Sequence, residues 1–242
     1  MIVAIHQPCY LPWLGYLQRM AQADLFVVLD HVQFERANYQ NRTRILVDGE
    51  PRWLTVPVVQ RSQKERILDK EIDNRLEGPR HWSRAHLGTL RHAYRAAPFA
   101  GTYLPALREI LESPWLHLAA LDLALLEVLR DAFGIRTPLV RSSELGVSGA
   151  KSQLVLEICQ ALGADCFLGG MGGSRAYLDT EAFRRAGIRV QWQDFQHPVY
   201  NQCGGGGFVG GLSSIDLLLN CGPRGRHLFI DQRWRRDARA AA

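Results

Sequence analysis

The 242-residue sequence contains no pair of cysteines at CxxC spacing. Its five cysteines, Cys9, Cys159, Cys166, Cys203 and Cys221, are scattered and odd in number, which argues against a disulfide framework and against a zinc site. No apolar run is long enough to cross a bilayer, because the richest stretch, Leu116 to Leu129, is broken by His117, Asp122 and Glu127. The first residues run straight into an apolar strand without a basic n-region, so no signal peptide is read and a cytoplasmic location is expected. Internal repeats are absent, and so is a dense basic stripe. The formal charge is +5, of which the last twelve residues, with four Arg and two Asp, supply +2 and leave +3 for the rest. That balance suits an anionic, phosphate-bearing small molecule better than a long nucleic acid. What the chain does have is 47% hydrophobic and 22% charged residues, the composition of a globular protein.

The stretch from Ile2 to Asp30 organises the reading. Ile2 to Ile5 and Leu25 to Leu29 are short apolar runs of buried parallel strands, and Leu14, Leu17, Gln18 and Ala21 fall at helical spacing between them. The spacing predicts a β-α-β unit whose first strand ends at His6. Further on, a hairpin with its turn at Gly49 and Glu50 joins Thr43–Val47 to Trp53–Val59. Helices are predicted from Pro79 to about Arg95, over Thr102 to Leu111, and over Pro114 to Ala132 with Ser113 as N-cap. The α/β rhythm then returns, with strands at Thr137–Val140, Asp165–Leu168 and Ile188–Trp192, and a helix over Lys151–Leu162. Ser213 and Ser214 cap a last helix that Gly222 ends, and the GGGG run before it reads as a mobile loop. The expected architecture is α/β, a three-layer, mostly parallel Rossmann-like sheet. It forms a single domain over 1–232 with a helical insertion at about 79–133 and a basic tail over 233–242.

In an open parallel sheet, ligands bind at the carboxyl edge. His6 stands there among Gln7, Tyr10 and Trp13. It reads either as a histidine bonded to a backbone carbonyl or as a general acid or base. Asp30 ends the second strand at the same edge, where a carboxylate could orient His6, bind a ligand or cap a turn. The loop Gly169, Gly170, Gly172, Gly173 follows another strand, and with Ser174 and Arg175 it reads as a phosphate or carboxylate cradle. Tight strand-to-helix packing explains its glycines equally well. His197 is a more distant partner, and Cys9, near His6, could in principle form a Cys–His nucleophile.

Read together, HQPCYLPWLGY, LDHVQF, Asn41 with Arg42, WLTVPV, HWSRAHLGTLRHAY, LGADCFLGGMGGSRAYLD, QHPVY and LSSIDLLLNCG resemble the WbqC-like family over nearly the full length. The resemblance implies an association with bacterial O-antigen and other surface-polysaccharide gene sets, and in some cases with natural-product assembly. It adds Gln33, Asn41 and Arg42 to the binding residues, and an Arg fork suits carboxylate or phosphate. The opening unit is also similar in layout to the nucleotidylyltransferases, but Tyr16 follows Gly15 where their motif carries a second histidine. The function expected is a cytoplasmic transferase moving an acyl, aminoacyl or nucleotidyl group on an activated anionic building block, such as a nucleotide-linked or carrier-bound intermediate, with His6 and Asp30 catalytic. The alternative is a binding protein that presents such an intermediate to a partner enzyme. Nothing in the sequence specifies a cofactor.

Overall fold

The computed structural model describes residues 1–170 and 172–230, without the side chain of Ser174. The expected boundary at 232 and the basic tail lie outside the described residues. In chain order the elements are β1 (Ile2–His6), α1 (Leu14–Gln22), β2 (Leu25–Val28), β3 (Arg42–Val47), β4 (Glu50–Thr55), α2 (Trp82–Ala93), α3 (Ala100–Glu112) and α4 (Leu118–Ala132). The second half adds β5 (Leu139–Arg141), α5 (Lys151–Ala161), β6 (Cys166–Gly169), α6 (Ser174–Tyr177), α7 (Thr180–Arg185), β7 (Arg189–Trp192), α8 (Ser214–Cys221) and α9 (Arg226–Phe229).

Five strands form one sheet in the order β5-β2-β1-β6-β7, and every pairing in it is parallel. Alternation along the strands sorts their side chains onto two faces. Ala4, Phe26, Val28 and Leu168 pack with Leu14, Leu17 and Met20 of α1, Leu118 and Leu125 of α4, and Ile215 and Leu218 of α8. Val3, Ile5, Val27 and Phe167 pack on the other side with Leu154, Val155 and Ile158 of α5 and Phe183 of α7. The result is the three-layer α/β arrangement expected from the two strand-helix-strand units. Among the described residues, no helix is long and apolar enough to cross a membrane.

β4 covers Glu50–Thr55 where Trp53–Val59 is expected, several other ends move by one or two residues, and three further boundaries differ for a clear physical reason. Val47 pairs with Glu50, so the hairpin turn is Asp48-Gly49, with both residues at positive φ (49° and 80°). That is the backbone a two-residue turn between twisted strands demands. The helix expected from Pro114 begins at Leu118, because the chain before it is extended against residues 70 to 72. Ile72 N–H donates to the Leu116 carbonyl (2.8 Å) and Leu118 N–H to that of Lys70 (2.9 Å). Ser113 instead ends α3, its hydroxyl donating to the Glu109 carbonyl. Likewise α2 starts at Trp82 with His81 as cap, since Pro79 lies in a separate 3-10 turn. Trp82, His86 and Leu90 of α2, with Tyr94 just past its end, are all buried.

Candidate active site

The sheet order reverses direction between β1 and β6, and the crevice outside their carboxyl ends is the usual ligand position in such folds. His6 and Gly170 flank it. The last paired rung is Ala4 opposite Leu168, so two residues further on His6 and Gly170 leave adjacent strands at the same level.

The loop from β1 to α1 is held from several sides. Tyr10 N–H donates to the Tyr39 carbonyl (3.0 Å), and Ser214 N–H to that of Pro12 (2.8 Å). The Leu11 carbonyl accepts from the hydroxyls of Thr43 (2.9 Å) and Ser213 (2.8 Å). These bonds hold Leu11 at φ 45°, an unfavourable conformation for a bulky residue, which persists only where its surroundings fix it. Sequence thus places His6 on a strand end, and the hairpin and α8 together fix the loop around it.

His6 donates from Nδ1 to the Gln7 carbonyl (2.8 Å), which leaves Nε2 as the basic nitrogen. Trp13 and Tyr16 meet its ring edge-on, at 5.4 and 4.8 Å between centroids. Burial, reinforced by the positive charge of Arg19, lowers its pKa to about 3 against the Gln7 bond, so the imidazole is neutral at physiological pH. Cys9 Sγ lies 3.8 Å from Nδ1. Its thiol is buried and pushed well above the usual range, which removes the thiolate that a Cys–His nucleophile requires.

The remaining sequence-named residues divide by location. Gln7 accepts from Gln40 (2.8 Å) beside His6. Tyr10 is buried, its hydroxyl donating to His86 Nδ1 (2.8 Å). Both oxygens of Asp30 are engaged: Arg141 Nε donates to one (2.7 Å), Ser142 Oγ to the other (3.1 Å), and Ser143 donates to both. Burial alone would raise this carboxyl, but the Arg141 and Ser143 bonds outweigh it and lower the pKa. Asp30 therefore ties β2 to the turn after β5, while His6 is oriented by Gln7. Asn41 donates to the Val56 carbonyl (2.8 Å) and continues the hairpin pairing. Arg42 lies over the Trp53 ring (4.1 Å) and donates to the Ala37 carbonyl. It connects to His6 through successive ring contacts, Trp53 to Tyr39 (5.5 Å), Tyr39 to Trp13 (5.1 Å) and Trp13 to His6. Gln33 is further out, donating to the Gln63 carbonyl (2.7 Å). His197 bonds the Pro198 carbonyl (2.9 Å) and meets Phe195, whose ring packs at Gly15 at the start of α1.

The glycine loop combines both readings. A Cβ on Gly169 would come within 2.6 Å of the Trp192 ring, and one on Gly170 would land on the Arg19 guanidinium, so these two are glycines for close packing. Gly172 and Gly173 are exposed with open space around them, and Arg175 lies 5.9 Å from the Trp192 ring.

Arg19 itself was missed by sequence reasoning. It is only 5% exposed, and none of the ion pairs among the described residues involves it. Its Nε has no hydrogen-bond partner there. Burial lowers its pKa to about 10, so it remains charged near neutrality. No local sequence signal marks it: its burial appears only in the structure, where nearly every residue of the helix LGYLQRMAQ is buried. No group of three or more metal-ligating side chains occurs among the described residues.

Fold and site define a doubly wound α/β protein with a histidine among aromatic rings at its topological switch point. The chain belongs to the WbqC-like protein family, whose model matches residues 7–228. It is 32% identical over 222 residues to the uncharacterized protein Rv1507c of Mycobacterium tuberculosis, covering 91% of this chain and 94% of that protein. No solved structure matches.

Proposed function

We propose that the chain is a cytoplasmic group-transfer enzyme acting on an activated anionic building block, such as a nucleotide-linked sugar intermediate of surface-polysaccharide or natural-product biosynthesis. The observation that carries this reading is His6: a neutral imidazole at the switch-point crevice, oriented by the Gln7 carbonyl through Nδ1, with Nε2 as its basic atom. In the reaction, Nε2 takes the proton of an incoming hydroxyl or amine as that nucleophile bonds to the transferred acyl, aminoacyl or phosphoryl centre. The bond to the leaving group breaks, and the leaving group keeps its electron pair. The imidazolium then returns the proton to it. A pKa of about 3 makes a weak base, and a bound anion opposes the Arg19 field and lifts His6 toward the useful range. Trp13 and Tyr39 wall the approach, with Arg42 at the outer end of the ring series.

A second reading, a non-catalytic protein that presents such an intermediate to a partner enzyme, is favoured by one observation: Asp30 is committed to Arg141 and the serines rather than paired with His6. Mass spectrometry of the purified full chain for a co-purifying anionic ligand supplies the substrate to assay. His6→Ala is then expected to lower turnover by about 10²-fold or more while the ligand still binds. Turnover unchanged in that variant, or no turnover by the wild type with any co-purified ligand, would rule out the catalytic reading.

A further inference from the structure

A buried cation without a counter-charge is costly to a fold unless something else satisfies it. Among the described residues Arg19 is such a cation, and its surroundings are specific. It projects from α1 toward the crevice between β1 and β6, and Gly170 lacks the Cβ that would collide with its guanidinium. It acts electrostatically on His6, Cys9 and Tyr16, and the carboxylates nearest in sequence are engaged elsewhere: Asp24 accepts from the Ile2 N–H and Asp30 from Arg141. We infer that the Arg19 guanidinium, beside His6 and Gly170, is the anchor for an oxyanion group of the ligand, a phosphate or a carboxylate.

This inference rests on the crevice being the ligand site, as proposed above, and adds which side chain holds the negative charge. A guanidinium presents a planar fork of donors that matches two oxygens of either anion. Among the described residues the Nε donor has no acceptor, so binding would satisfy a donor left unpaired there, a larger gain than replacing one partner by another. The arrangement also couples binding to the reacting histidine. The groups around His6 are Cys9 in the loop, Tyr16 and Arg19 on α1, and, through its field on Cys9 and Tyr16, Asp122 on α4. Of these, Arg19 is the cation, and an anion seated on it cancels the charge that disfavours protonation of His6.

The test uses the full chain with sodium phosphate and, in a separate arm, sodium acetate, each compared with sodium chloride at equal ionic strength. Thermal melts should show a saturable rise in Tm with at least one of the two anions, and the responding arm tells phosphate from carboxylate. Arg19→Met should weaken that apparent affinity at least about tenfold, the range for charged hydrogen bonds, and should melt higher than the wild type without anion, since a buried unpaired charge is gone. A purely structural arginine would give a lower melting point and an unchanged anion response. Should the Met variant fail to fold, the wild type still decides: the His6 ring ¹⁵N signals should move toward the protonated form at fixed pH as the anion is added. Gly170→Ala, which displaces the guanidinium, should reduce that response. No saturable rise with either anion, or the same rise in Arg19→Met, overturns the assignment. That result leaves the His6→Ala turnover test standing, whereas anion binding by the wild type that is lost in Arg19→Met, with no turnover by either, keeps the anchor and removes the enzyme reading.

Discussion

Asp122 lies on α4 with 1% of its surface exposed, and neither carboxylate oxygen has a hydrogen-bond partner among the described residues. Burial raises its pKa far above the ordinary value. Because the folded pKa exceeds the unfolded one, the unfolded chain releases this proton first as pH rises through about 4. The group therefore costs stability progressively above that pH. Asp122→Leu, close in volume and without the carboxyl, is expected to raise unfolding free energy by about 1–3 kcal/mol at pH 8 and by less at pH 5. Urea melts at the two pH values measure this. Equal destabilisation at both would mean that the carboxyl has a favourable role after all. Arg19 and Asp122 show what single residues conceal in a sequence. An arginine within QRMAQAD and an aspartate within LAALDLALL read as ordinary polar positions, because their burial is decided by segments far away in the chain, Gly170 for the first and the helical layer for the second. His6 was legible by contrast, since the strand ends at Pro8 whatever the rest of the chain does.

Between elements, the bond set around Asp30 joins two strands that are remote in sequence. β2 pairs with β5 only from Phe26 to Val28, a short edge ladder, and the Asp30 carboxylate extends it through Arg141, Ser142 and Ser143. Asp30→Ala removes these bonds, while Arg141, 41% exposed at its side chain, can return to water. The expected cost is about 2–3 kcal/mol, the upper range for hydrogen bonds to a charged group with a solvated partner left over. Hydrogen exchange should locate the loss in Leu139–Arg141, with amides of β1 and β6 still protected. A catalytic Asp30 would show the reverse, turnover abolished with melting unchanged. Elements were largely legible because period-two and period-3.6 patterns are local, and both β-α-β units were found on them. The start of α4 was not, because Pro114 to His117 form backbone bonds to residues 70 to 72 that no local preference encodes.

For the molecule as a whole, two histidines lie at the seams between its layers. His6 closes the contact between β1 and α1. His86 on α2 accepts from Tyr10 in the β1–α1 loop and bonds the Thr55 backbone of the hairpin, so it joins three parts of the fold. Burial lowers the pKa of His86 to about 4, and burial with the Arg19 charge lowers that of His6 to about 3. Both folded values lie below the unfolded value near 6.5, so between about pH 6.5 and 4 the unfolded chain takes up protons that the folded chain refuses. The histidines' contribution is complete above pH 6.5 and falls on acidification, by at most about 1.4 kcal/mol per pH unit for each. Carboxylates held low by their partners, such as Asp73 at about 2, lose their stabilising contribution only below about pH 4, and Asp122 opposes the trend. Denaturant melts from pH 7.5 to 4.5 should therefore show a steep loss beginning near pH 6.5. Trp82, whose ring meets His86 at 5.5 Å, offers a fluorescence reporter of the second seam. His86→Gln, which does not titrate, should reduce the slope by up to about 1.4 kcal/mol per pH unit, the share of one histidine. A saturating anion should flatten it further by raising the folded pKa of His6. A stability profile level from pH 7 to 5 would mean that these histidines are solvated and that the layers are held together elsewhere.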